Sequence, residues 1–88
     1  SLISYVDIQN ESKNFNATVY SFNKNIYIHT EISQNTELII CDLNGKQIIK
    51  DILQNKYELI SMTNYKAGIY LVTLLNDGKR YDKKIFIE

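Results

Sequence analysis

"KAGIYLVTLLNDGKRYDKKIFIE", residues 66–88, decides the fold class. Two runs with side chains alternating at period two flank the turn signal Asn76-Asp77-Gly78, which reads as two antiparallel strands joined in a hairpin. In "IYLVTLL", Tyr70, Val72 and Leu74 oppose Ile69, Leu71 and Leu75, so both faces are largely apolar, as expected of a strand central to a sandwich. In the final run Tyr81, Lys83, Ile85 and Ile87 oppose Asp82, Lys84, Phe86 and Glu88. Its first half reads as solvated and its end as packed.

The same signals recur upstream. "ELIICDL" and "KQIIKDI" flank Asn44-Gly45, the strongest short hairpin signal in the chain. "ATVYSF" and "IYIHTEI" flank "NKN", where Asn tolerates the left-handed backbone of a tight turn. Within "IYIHTEI", alternation puts Ile26, Ile28 and Ile32 on the core face and Tyr27, His29 and Glu31 on the other. "KYELISM" is a further strand, and "TNYKAG" a corner in which Gly68 supplies a positive φ. "SLISYVDI" is the first candidate strand, followed by the aperiodic, Asn-rich loop "QNESKNFN". Fourteen Ile and seven Tyr against two Ala favour pleated surface over helix. The reading is all-β: a small antiparallel immunoglobulin-like β-sandwich of about seven strands. With no Pro in the chain, Lys residues protect its edges.

Eighty-eight residues make one small domain. Ten basic residues balance ten acidic ones, so no net field draws nucleic acid or an anionic membrane. No apolar run approaches the roughly 20 residues of a spanning helix, and the first residues lack the pattern of a signal peptide. A start at Ser1 without Met suggests a domain cut from a larger protein. Chemistry is hard to find. Cys41 lies in an apolar run and reads as a packed thiol; His29, the single imidazole, lies on a polar strand face. One His and one Cys do not make a zinc site, and "DLNG" lacks the later ligands of a calcium loop. Three isolated glycines make no phosphate loop. No catalytic residue, metal site or cofactor is expected. Tyr20, Tyr27, Tyr65 and Tyr81 leave open a different function, a carbohydrate-binding or adhesive module or a retained structural domain of a surface protein.

Four stretches, taken in order, carry more information than any alone: "VYSFNKNIYI", "ELIICDLNGKQI", "YKAGIYLVTL" and "GKRYDKKIFIE". Together they resemble the C-terminal (type A) sorting domain of cargo exported by the type IX secretion system of Bacteroidetes. The second is similar to the family's I-Y-D-L-x-G-K hairpin, with Cys41 in place of Tyr; the third is similar to L-x-x-G-x-Y-x-V; the fourth is similar to a Lys-bearing last strand. The resemblance implies a non-enzymatic address that directs a covalently attached N-terminal cargo through the periplasm and the outer-membrane translocon to the cell surface or beyond. It also implies removal by a surface sortase. On that basis residues 1–16 are an N-terminal strand and junction to the cargo, and 17–88 the sorting domain. Recognition by translocon or sortase is carried over to Gly68, Tyr70 and Val72, and to Lys83, Lys84, Ile85 and Ile87; Asp42 and Gly45 are assigned structural roles. Four cations from Lys79 onward face two acids, a local excess of two positive charges that suits an acidic receptor. Edge protection is an equal explanation of Lys83 and Lys84.

Overall fold

The computed structural model describes residues 15–31 and 34–88. They form seven strands: β1 (Ala17–Phe22), β2 (Asn25–Thr30), β3 (Glu37–Cys41), β4 (Gln47–Ile52), β5 (Tyr57–Ser61), β6 (Gly68–Asn76) and β7 (Lys79–Ile87). All pairings are antiparallel, in a three-stranded sheet of order β1-β2-β5 and a four-stranded sheet of order β4-β3-β6-β7. The candidate strand "SLISYVDI" and Ile32 lie outside the described residues. The all-β sandwich expected from the alternation is what forms. In a constant-type immunoglobulin domain the fourth strand completes the sheet of the first, second and fifth. Here β4 stays beside β3, so the sheets divide three and four.

Turn chemistry fixes the registers. Phe22 pairs with Asn25 across a two-residue loop in which Asn23 and Lys24 both have positive φ, 54° and 64°, the backbone that matches strand twist in a hairpin. Asp77 and Gly78 do the same between β6 and β7, at 51° and 79°. The Asn44-Gly45 hairpin forms with a longer loop. Gly45 N–H bonds the Asp42 carbonyl at 3.0 Å, Asp42 N–H bonds the Lys46 carbonyl at 3.0 Å, and Gly45 alone in the loop turns to positive φ, 84°. Asp42 Oδ1 accepts from the N–H groups of both Asn44 and Lys46 at 2.9 Å. The structural roles expected of Asp42 and Gly45 follow from these bonds, and β4 carries an extra residue, Ile48, where the register shifts.

Alternation turns one face of each sheet inward. Val19, Ile26, Ile28, Leu38, Ile40, Leu53, Met62, Tyr70, Val72, Leu74, Ile85 and Ile87 form one buried core, and Phe15 joins it ahead of β1. β6 is bonded on both sides, as expected of a central strand, but only its Tyr70, Val72 and Leu74 row faces the core; Ile69 is exposed and Leu71 half-buried on the outer face. The sheets meet along a seam between β1 and β7. No ladder closes it: Ser21 Oγ donates to the Phe86 carbonyl at 2.7 Å, and the Val19 backbone bonds the Tyr81 hydroxyl.

Lys24 holds a left-handed backbone that costs an L-residue with a Cβ about 1 kcal/mol. Lys24→Gly is expected to raise the melting temperature by about 2–6 °C, checked by thermal denaturation.

Candidate functional site

The residues assigned to recognition all fall on the β6–β7 hairpin, and its register brings them together. Gly68 lies opposite Ile87, Tyr70 opposite Ile85, Val72 opposite Lys83, and Leu71 opposite Lys84. Their environments differ sharply. Tyr70, Val72, Ile85 and Ile87 are core residues, at most 6% exposed. Gly68 is half-buried with φ 149°, a value that admits few side chains, at the corner where the chain leaves Met62 and enters β6. Lys83 and Lys84 alone among the seven are exposed.

Tyr70 has an identifiable mechanical role. Its ring packs in the core while its hydroxyl donates to the Lys66 carbonyl, four residues upstream, at 2.5 Å. This is the tyrosine-corner arrangement of sandwich domains, which ties the entry of the sixth strand to the loop before it. The Tyr-after-Gly spacing in "KAGIY" is thus a packing signal as well as a family motif.

The exposed half of β7 is organised by charge. Asp82 sits opposite Thr73 and accepts from Thr73 Oγ1 at 2.6 Å and from Arg80 Nε at 2.7 Å. Partial burial opposes ionisation of Asp82, but the hydrogen bonds from Arg80 and Thr73, with the Arg80 charge, prevail and hold the carboxyl below its ordinary value. The hydrogen bond to Asp82, with its charge, raises Arg80 in turn. Burial pushes the Tyr81 hydroxyl up, against the Val19 backbone bond. With Arg80 engaged, Lys79, Lys83 and Lys84 make no ion pair among the described residues. Lys84 stands on the outer face in one row with Leu71 and Cys41. Lys83 has the inward parity of Ile85 and Ile87 yet is exposed, because β7 is an edge strand.

Thr73 and Asp82 were not singled out by the sequence; a threonine amid the outward apolar residues of "IYLVTLL" is the signal that marks such a pair. The four tyrosines of the carbohydrate reading do not make one platform. Tyr20 and Tyr27 stack at 5.0 Å on the outer face of the three-stranded sheet, while Tyr65 and Tyr81 pack against the core. The ring beside the first pair is Tyr57, stacked on His29 at 4.2 Å. Cys41 is a half-buried free thiol. Among the described residues no three His, Cys, Asp or Glu side chains are placed to hold a metal ion.

This sandwich, with its Lys-bearing last strand paired to a Gly-x-Tyr-x-Val strand, agrees with one family model, that of secretion system C-terminal sorting domains, which matches residues 21–88. The chain belongs to this family. The sorting domain is a secretion signal for the type IX system, a family of addresses rather than catalysts, and it engages that system to bring about export to the cell surface or the extracellular space. The match begins at Ser21, inside β1, slightly later than the resemblance read from the motifs. No characterised protein matches the chain by sequence.

Two outcomes follow for the hairpin. Tyr70→Phe keeps the ring and loses the Lys66 bond, and is expected to cost about 1 kcal/mol in urea denaturation. Asp82, ionised more readily folded than unfolded, adds stability that is complete above its unfolded value of about 4 and is lost as pH falls through the lower folded value. The stability of Asp82→Asn is expected to fall less steeply on acidification below about pH 4 than that of the wild type, read from paired melting curves.

Proposed function

We propose that the type IX translocon reads the sorting domain at β7, through Lys83 and Lys84, with Gly68, Tyr70, Val72, Ile85 and Ile87 shaping and holding that strand. The observation that carries the reading is the pair of exposed lysines, without an ion-pair partner among the described residues, directly before the buried Ile85 and Ile87 on an edge strand. Packing fixes the backbone at Ile85 and Ile87, so the lysines are presented from a rigid base. Their positive charge suits an acidic receptor surface.

Residues 17–88 are the address and 1–16 the junction to a covalently attached N-terminal cargo. The domain is not an enzyme, and it binds neither nucleic acid nor lipid bilayer. It crosses the periplasm folded, and a surface sortase then removes it. The neutral balance of the chain and the local cationic excess of β7 support this reading.

Truncation is a poor test, because removing the last residues also removes Ile85 and Ile87 from the core, a loss of about 2–5 kcal/mol each by the cost of large-to-small substitution. The sharper experiment reverses charge on the surface. A reporter fused ahead of the sorting domain in a type IX-competent host is expected to reach the surface with the wild-type domain. With Lys83→Glu/Lys84→Glu it is expected to accumulate in the periplasm, with surface signal lowered at least about tenfold, the equivalent of about 1.4 kcal/mol of recognition. Circular dichroism of the isolated variant checks that the fold survives. A correctly folded variant exported at the wild-type level overturns the assignment.

A further inference from the structure

Among the described residues four strands lie at sheet edges, and they are not equally closed. β1 and β7 face each other across the seam bridged by Ser21 and Tyr81. On β4, the bond from Leu53 N–H to the Thr36 carbonyl shows that odd-numbered residues turn toward β3, so Ile52 N–H points to the open side. Asp51 Oδ1 accepts that N–H at 2.8 Å, and Lys50 and the extra residue Ile48 add charge and a bulge. These are the usual devices against strand addition.

β5 has neither a capped N–H nor a bulge on its open side. Thr30 N–H bonds the Lys56 carbonyl and Met62 N–H bonds the Lys24 carbonyl, so the even-numbered residues of this segment turn toward β2. The N–H and C=O groups of Tyr57, Leu59 and Ser61 therefore point away from the sheet, and no partner takes them among the described residues. Glu58 is the one charge on the strand. Its carboxylate turns back to the N–H groups of Gln54 and Asn55 at 2.9 Å, leaving the edge uncovered. The outward side chains are neutral: Tyr57 is 73% exposed and Leu59 56%.

We propose that β5 pairs with β5 of a second copy of this chain, antiparallel about a two-fold axis at Leu59. The register is set by the residues. Tyr57 faces Ser61 of the second copy, Glu58 faces Ile60, and Leu59 faces Leu59, so no like charges stand opposite each other. The outward groups of residues 57, 59 and 61 meet in bonded pairs, and two three-stranded sheets become one of six strands. Because a strand-edge contact of this length belongs to the small interface class, under about 1,200 Å² in total, association shows at high protein concentration. β5 and β7 lie on opposite edges of the sandwich, so Lys83 and Lys84 stay exposed in both copies; this pairing stands whether or not β7 is the surface the translocon reads.

Sedimentation of the 88-residue chain tests it. The weight-average mass is expected to rise toward that of a dimer as concentration increases from on the order of 10 μM to on the order of 1 mM. Leu59→Lys and Leu59→Glu each set like charges against each other at the axis and are expected to stay monomeric, whereas their equimolar mixture associates. In the wild type, amide exchange at Leu59 is expected to slow as concentration rises. A wild type that stays monomeric throughout, a Leu59→Lys chain that associates as the wild type does, or a mixture that does not associate overturns the proposal. The amide measurement decides the matter should either variant misfold.

Discussion

The double pairing of β6 is the constraint on which the rest depends. Leu38, Ile40, Val72, Leu74 and Ile85 come to one side only because β6 is in register with β3 on one edge and β7 on the other. A slip of one residue would send Tyr70, Val72 and Leu74 outward and bring Ile69, Leu71 and Thr73 in. Thr73 would then carry its hydroxyl into the core without Asp82 to accept it. The Tyr70 hydroxyl bond to Lys66 and the Asp77-Gly78 turn fix the two ends of the strand, so neither sliding nor fraying is free.

Polar groups of this sandwich work mostly at its rims. Asp42 organises the β3–β4 turn, Glu58 the approach to β5, and Asp82 the exposed half of β7. Asn76 donates across to the Gln34 carbonyl and Thr36 Oγ1, which fastens the loop before β3 to the end of β6. Each carboxylate satisfies backbone or side-chain donors that a short strand end would otherwise leave to water. Among the described residues the ion pairs Lys50–Glu37 and Arg80–Asp82 are partly or largely exposed, and their contribution is small beside that of the buried isoleucines.

Strands and turns were legible in the sequence because period-two alternation and positive-φ residues are local signals. The hairpin at residues 66–88, the NKN turn and the core parity of Ile26 and Ile28 all follow from neighbours in the chain. Sheet membership beyond a hairpin is not local: the Asn44-Gly45 turn sets β4 beside β3, but nothing in "KYELISM" says that β5 joins β2 rather than β4, and that choice rests on packing across the sandwich. For the candidate site, the motifs place all seven assigned residues on one hairpin, and the change from "KRYDKK" to "IFIE" marks where exposure gives way to packing; alternation alone puts Lys83 on the same face as Ile85 and Ile87, from which it differs in distance from the rim. Tyr57 escaped notice because its stacking partner, His29, is 28 positions away in the chain and meets it only through the β2–β5 register.

The seam between β1 and β7 fixes the polarity of the whole domain. Val19 meets Tyr81 and Ser21 meets Phe86, so the two strands run in the same direction along it. The start of β1 and the end of β7 therefore lie at opposite poles. The described chain enters β1 at one pole, and β7 ends at the other. A pull applied between the two poles loads the seam lengthwise, and its two bonds resist together rather than opening one after the other.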